Sequence, residues 1–222
     1  MIEIAIDGTA ASGKGTLAKK LSLKYNFPHL DTGMMYRLVA FDLIYNKKNN
    51  SINLELESCK IANKIDFKRL ENKKLRSEEI AILASKIALF GNLRQILNSK
   101  QIEFSEINKN KYGGCILDGR DIGTKILPDA NFKFFINASV EIRAKRRLLE
   151  KNISFLHAND EKCMLQSLIV DITKRDILDS KRKESPLVPA EDAFIIDTSS
   201  IDADELLSIA TKIIEESRKK AD

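Results

Sequence analysis

Between Ile4 and Ser22 the chain reads IAIDGTAASGKGTLAKKLS: a short apolar run, then glycines and small residues around one lysine, then a helix-forming stretch. The apolar run, with its β-branched residues, suits a buried parallel strand. Gly8, Gly13, Lys14 and Thr16 fit the spacing G-x(4)-G-K with a hydroxyl two residues beyond the lysine. Glycine leaves the backbone free to turn its N–H groups toward one point. A helix starting near Gly15 adds the partial positive charge of its N-terminus there. Lys14 then reaches the terminal phosphates of a nucleotide, and Thr16 approaches its magnesium ion. The loop Gly8, Thr9, Ala10, Ala11, Ser12, Gly13, Lys14, Gly15 and Thr16 is therefore read as a polyphosphate site, with ATP and Mg2+ as its occupants.

Further along, strands and helices alternate. FPHLD, GGCILDG, NFKFFINA and DAFIID read as four more short strands. Leu17–Tyr25, Met34–Tyr45, Ser77–Phe90, Val140–Lys151, Leu165–Asp179 and a closing stretch from Asp202 read as helices, with another beginning near Leu93. That alternation predicts an α/β fold whose five-stranded parallel sheet is covered by helices on both faces. Residues 46–77 are polar, lysine-rich and weakly periodic, and read as a small inserted lobe with connecting loops. Ser77 is a good N-cap, with Glu78 and Glu79 in the first turn favouring the helix dipole.

Composition narrows the partners. A chain of 222 residues with 43% hydrophobic residues suits one domain with a proper core. The net charge of +5 is spread along the chain without a basic tail, which fits small phosphorylated ligands better than nucleic acid. Cys59, Cys115 and Cys163 form no ligand-spaced pair, so they read as reduced thiols, not metal ligands. His29 and His157 have no nucleophile partner and read as structural or surface residues. MIEIAIDG has neither a basic start nor a long apolar core, and no run reaches the length of a membrane span. The expectation is a cytoplasmic protein without membrane or nucleic-acid partners. With no exposed apolar stripe evident, a monomer is expected.

The glycine loop alone does not choose among GTPase, ATPase and kinase, although G-K-G-T leans toward small nucleotide kinases. LDTGMMYR (Leu30–Arg37) and LDGRDIGT (Leu117–Thr124) sit at the ends of strand candidates, where open α/β sheets bind ligands. Arg175, Asp179 and Arg182, spaced by four and three, share one helical face. Together with ASKIALFGNLR, RAKRR, RDILDSKR and PLVPAEDAFIIDTS, in this order, these motifs resemble the bacterial-type cytidylate kinases from Ile4 to about Thr198. Adenylate kinases and eukaryotic-type UMP/CMP kinases would show D-G-[FY]-P-R where this chain has D-G-R-D.

The resemblance implies a P-loop nucleoside monophosphate kinase fold: one domain over 1–222, an acceptor-binding lobe inserted at about 46–92, and a lid at about 143–182. It implies transfer of the γ-phosphoryl group of ATP to CMP, and to dCMP. It places Arg37 and Arg120 on the acceptor phosphate, with Arg175 and Arg182 near the phosphates and ribose, where guanidinium forks suit phosphate oxygens. Asp179 and Tyr36 would face the ribose, and Thr32 stands where serine is common, keeping the hydroxyl. Ser85, Arg94 and Asp121 are implicated at the base. A carboxylate such as Asp121 accepts from the cytosine amino group but would meet another acceptor on uracil. Ser85 and Arg94 are nine residues apart and would point to opposite faces of one straight helix, so a break at Gly91-Asn92 is predicted. Arg143 and Arg147, before Arg146, would serve as lid arginines that offset charge on the transferring group. Asp118 would hold a magnesium-bound water, or would simply form the turn before glycine.

Besides Thr32, the chain departs from the family in two places. Only LENKK separates KIDFKR from LRSEEI, where many members carry a longer strand-rich segment, and Thr9 stands where proline is common. Two rival readings differ from CMP phosphorylation. One is a monophosphate kinase of different or relaxed base choice, UMP foremost. The other is a P-loop protein that binds ATP to regulate nucleic acid, and it predicts salt-dependent oligonucleotide binding.

Overall fold

β1 (Ile2–Gly8) runs through the middle of the sheet, and its apolar run is buried from Ile4 onward. The structure is a computed structural model that describes residues 1–47, 52–150, 157–182 and 184–221. β2 (His29–Asp31), β3 (Gly114–Gly119), β4 (Phe132–Asn137) and β5 (Phe194–Asp197) complete a five-stranded sheet in the order β2-β3-β1-β4-β5. β1 pairs in parallel with β3, from Ile2 opposite Gly114 to Asp7 opposite Gly119, and with β4, from Ile4 opposite Phe132 to Gly8 opposite Ile136. The register brings the C-terminal ends of β1 and β3 level, and ligands of parallel sheets bind at such ends.

Helix α1 (Lys14–Tyr25) follows the glycine loop and α8 (Ala203–Ala221) closes the chain. Leu17, Ala18 and Leu21 of α1 pack with Leu206, Ala210 and Ile214 of α8 over Ile4, Ile6, Ile116, Phe134 and Ile136. That cluster is the main core. α6 (Val140–Glu150) and α7 (Ala158–Ser180) form a second layer joined by Ala144, Leu148, Leu168 and Ile172. The Lys151 end expected for α6 falls outside the described residues. α7 begins seven residues before the expected Leu165, because Asp160 and Glu161 occupy its first turn and suit the positive helix end.

The chain divides into two compact units, Met1–His29 with Asn108–Asp222, and Leu30–Ile107. The smaller unit holds the expected lobe of 46–92 together with α2 (Thr32–Tyr45) and most of α5 (Gly91–Tyr112). Two expectations change there. Within the polar stretch 46–77, Leu54–Ala62 forms α3, capped by Asn53 Oδ1 accepting from Leu56 N at 3.1 Å. Its buried face is Leu54, Ser58 and Ala62, and two small residues out of three conceal the helical period in a sequence. The break expected at Gly91-Asn92 lies at 88–90: α4 (Glu78–Ile87) ends at Ala88, and Arg94 N bonds Phe90 O at 3.1 Å as α5 begins at Gly91. α4 and α5 meet at a bend of 104°, and no single helix among the described residues is long and apolar enough to cross a membrane.

Phe134 is the largest fully buried side chain of the core, and its ring meets Phe194 at 5.9 Å. Phe134→Ala should lower the unfolding free energy by about 3–5 kcal/mol, read by urea denaturation.

Candidate active site

The glycine loop is braced from three sides within the larger unit. At its start, a Cβ on Gly8 would lie 2.0 Å from the Ile136 carbonyl oxygen, and its φ is +151°. Only glycine lets β1 run this close to β4. Thr9 then donates from its backbone N–H to Ile136 O at 3.3 Å and from its hydroxyl to Asn137 Oδ1 at 2.9 Å. At the crest, Ala11 and Gly13 take φ of +58° and +95°. Successive left-handed turns of this kind make a concave backbone nest.

Arginines of α6 hold the loop carbonyls. Arg143 donates to Ala138 O at 2.8 Å, to Ala10 O at 3.3 Å and to Asp176 Oδ2 at 2.6 Å. Arg146 donates to Thr198 Oγ1 at 2.9 Å, to Thr198 O at 2.6 Å and to Ser12 O at 3.4 Å. Thr198 donates to the same Ser12 carbonyl at 2.8 Å. The carbonyls are drawn toward the protein body, which leaves the loop's N–H groups for an anion. Gly13 caps α1 without a side-chain hydrogen bond, so no side chain of the cap competes for that helix N-terminus. These features fit a polyphosphate. Lys14 and Thr16 stand in the first turn of α1 as the spacing predicted, with Thr16 exposed.

Thr198 is not among the expected site residues, and Arg146 is expected only behind Arg143 and Arg147 as a lid arginine. Arg146 instead braces the loop, and the partner that fixes it comes from a segment 52 residues away. Arg147, expected beside Arg143 in the lid, forms a surface pair with Glu150 at 2.8 Å.

The end of β3 carries the other half of this unit's chemistry. Asp118 is 2% exposed, accepts from His29 Nε2 at 3.2 Å, and puts Oδ2 3.2 Å from where a Gly15 Cβ would be. His29 is thus a structural partner of Asp118. Just beyond, Arg120 Nε donates to Asp179 Oδ2 at 2.8 Å, and Arg182 lies 3.2 Å from Asp179 Oδ1. The shared face expected for Arg175, Asp179 and Arg182 needs correction, because α7 stops at Ser180 with Lys181 as its cap. Arg182 reaches Asp179 from the segment past the helix, by folding back to donate from Nε to the Asp179 carbonyl at 3.2 Å. Burial raises the Asp179 carboxyl, but Arg120, Arg182 and Arg175 outweigh it and leave it below the usual value. Asp121 is buried at the start of a short π-helical turn, Ile122–Ile126.

Asp7 escaped the sequence reading. It ends a strand before a glycine, where aspartate reads as an ordinary turn residue. Burial pushes its carboxyl up to about 6, with Asp121 adding to the rise, against the backbone N–H groups of Gly123 and Ile122 and the charge of Arg120.

In the smaller unit, Arg94 is buried at 5% exposure, donates to Ala88 O at 3.1 Å and stands 5.9 Å over the Tyr36 ring. Arg37 donates to Leu75 O at 2.9 Å. Ser85 is exposed, its hydroxyl turned back to Ala81 O at 2.9 Å, and Thr32 is buried at the start of α2. The structure thus groups Tyr36 with Arg94 and leaves Ser85 bonded to its own helix.

A parallel sheet whose central strand passes through a glycine loop into a helix, beside arginines gathered at the next strand end, defines a P-loop kinase. The family model described as cytidylate kinase matches residues 4–216, and the chain belongs to the cytidylate kinase family. The cytidylate kinase of Bartonella tribocorum is 43% identical over 212 residues, covering 96% of this chain and 94% of that one. The cytidylate kinase of Xanthobacter autotrophicus is 41% identical over 215 residues, covering 97% of this chain and 98% of that one. A solved structure of an uncharacterized protein from Eubacterium ventriosum, 17% identical, aligns with a TM-score of 0.50 over 97% of this chain and 99% of that one, a likeness of fold alone.

Two outcomes follow from this geometry. Arg146→Ala removes the hold on Thr198 and one of the two donors to the Ser12 carbonyl, and should raise the KM for ATP about tenfold while leaving that for the acceptor nearly unchanged, as steady-state kinetics would read. Asp7 binds its proton more tightly folded than unfolded, so the stability this gives is full below about 3.8 and lost as pH rises through about 6. Against Asp7→Asn, the wild type should therefore lose about 3 kcal/mol between acid and neutral pH, read by urea denaturation across that range.

Proposed function

We propose that the protein transfers the γ-phosphoryl group of ATP to CMP, and to dCMP, releasing ADP and CDP or dCDP. The observation that carries this reading is the grouping of Arg120 and Arg182 on Asp179 at the end of β3. The strand register sets that end level with the glycine loop, in a chain of the cytidylate kinase family. Arginine forks held in place by a carboxylate are prepared for phosphate oxygens and cost little reorganisation when the anion arrives.

The chemistry is in-line displacement, and the protein's contribution is placement and charge neutralisation. Lys14 and the loop N–H groups hold the donor phosphates. Arg120, Arg175 and Arg182 offset charge as the phosphoryl group moves, and Arg37 steadies the acceptor phosphate. That phosphate is already an oxyanion, so no side chain has to remove a proton. Arg143 supports transfer through the Ala10 carbonyl it holds, and Arg147 would add its charge from the same helix. Asp179 serves the ribose once phosphate draws the arginines from it, and Tyr36 serves the ribose as well. Arg94, Ser85 and Asp121 serve the cytosine edge, and Thr32 supplies a hydroxyl on the acceptor side.

Magnesium, when bound, supplies charge neutralisation on the donor phosphates. Thr16 and Asp118 are the residues that would hold it, Asp118 through a water. One hydroxyl and one carboxylate suit an ion that keeps several waters and takes most ligands from phosphate. No cluster of three acidic, histidine or cysteine side chains competes for it among the described residues.

With ATP and Mg2+, ADP release should depend on CMP or dCMP far more than on UMP, AMP or GMP. Asp121→Ala should lose the preference for CMP over UMP. Arg120→Ala should lower kcat/KM for CMP by one to two orders of magnitude, roughly the loss of a charged hydrogen bond. Folded protein with no acceptor-dependent ADP release would sink the proposal, and oligonucleotide binding that weakens with salt would favour a regulatory P-loop protein.

A further inference from the structure

Asp7 is the last residue but one of β1, at the threshold of the glycine loop, yet its carboxylate does not face the loop's helix. Ile6 pairs with Asp118, whose carboxylate lies against Gly15, so Asp7 points to the opposite side of the sheet. There it is 5% exposed and grips two successive amides: Oδ1 accepts from Ile122 N at 2.8 Å and Oδ2 from Gly123 N at 2.7 Å. Those amides directly follow Arg120 and Asp121.

The turn is also held from its far side. A Cβ on Gly123 would meet Lys133 Cδ at 3.2 Å and Asp7 Oδ2 at 3.5 Å. Lys133 is itself buried, bonded to Asp192 at 2.8 Å and to the Pro128 carbonyl. The backbone at 122–123 is thus seated between a carboxylate and a fixed lysine stem. Two amides on the two oxygens of one carboxylate fix the orientation of both peptide planes, which a single hydrogen bond would not do.

We propose that Asp7 is a positioning residue for the acceptor: it fixes the turn on which Arg120 and Asp121 are mounted, and through it the choice of base. This rests on the reading that Arg120 and Asp121 meet CMP. The cost of keeping a buried carboxylate at this point is consistent with such a role, since burial works against its charged form. The charges that face it are Arg120 and Asp121 on the same turn, with Lys133 on β4 packed beyond Gly123.

The test is steady-state kinetics of Asp7→Asn beside Asp121→Ala, varying ATP and the acceptor separately, with CMP and UMP as acceptors. Asp7→Asn keeps the shape but offers one acceptor where two are needed. Its KM for CMP should rise about tenfold with the KM for ATP within about twofold, and its preference for CMP over UMP should fall as in Asp121→Ala. A rise confined to the KM for ATP would make Asp7 a support of the glycine loop and overturn the inference. So would unchanged kinetics with a lowered Tm. If Asp121→Ala loses base preference and Asp7→Asn keeps it, the acceptor reading stands and this inference falls. If Asp121→Ala changes nothing, both fall. Should Asp7→Asn not fold, Asp7→Glu, which keeps both carboxylate oxygens but displaces them, is read in the same way: a raised KM for CMP with a reduced preference for CMP over UMP supports the inference, and unchanged acceptor kinetics overturn it.

Discussion

The seating of Gly8 against the Ile136 carbonyl is the constraint on which the larger unit depends. A side chain there would need space the neighbouring strand already fills. Because Gly8 has none, β1 stays paired to β4 up to its last residue, and the turn that follows begins from a fixed point. Everything downstream takes its position from that point. Thr9 fastens to Ile136 and Asn137, Ser12 to Thr198 and Arg146, and Ala10 to Arg143. A loop that must present several N–H groups to one anion cannot collapse onto itself, and carbonyls held by outside donors prevent that collapse.

Four carboxylates set up the rest, each by a different physical means. Asp176 holds Arg143, and so links α7 to the loop. Asp179 holds Arg120 and Arg182 together by two ion pairs at the end of β3. Asp118 is steadied by His29 beside the first turn of α1. Asp7 works through the backbone, not through a charge partner, and burial is therefore felt most strongly there. The sheet separates these roles: Asp118 and Asp7 leave adjacent strands on opposite faces, one toward the donor loop and one toward the turn that carries Asp121.

The glycine loop, the five strands and most helices were legible in the sequence, because a buried parallel strand and a loop-to-helix junction carry local signals. The misplaced elements are those whose signals are weak or distant. α3 hides its buried face in Ser58 and Ala62. The break before α5 falls at 88–90 because Gly91 is tolerated at a helix start, where Phe90 supplies the first carbonyl. Arg182 lies past the end of α7, so its approach to Asp179 comes from chain reversal and not from helical spacing.

By itself the sequence determined that this chain builds a P-loop sheet and which residue types stand at the strand ends, since both follow from spacing within short windows. Only the tertiary structure decided what those residues hold. Arg146 became a brace because Thr198 arrives from a segment 52 residues away. Asp7 became a clamp because β3 returns beside β1 after more than a hundred residues and presents two amides to it. A hydrogen bond depends on where its partner sits in space, and for Arg146 and Asp7 the partner is fixed by the sheet and not by neighbours in the chain.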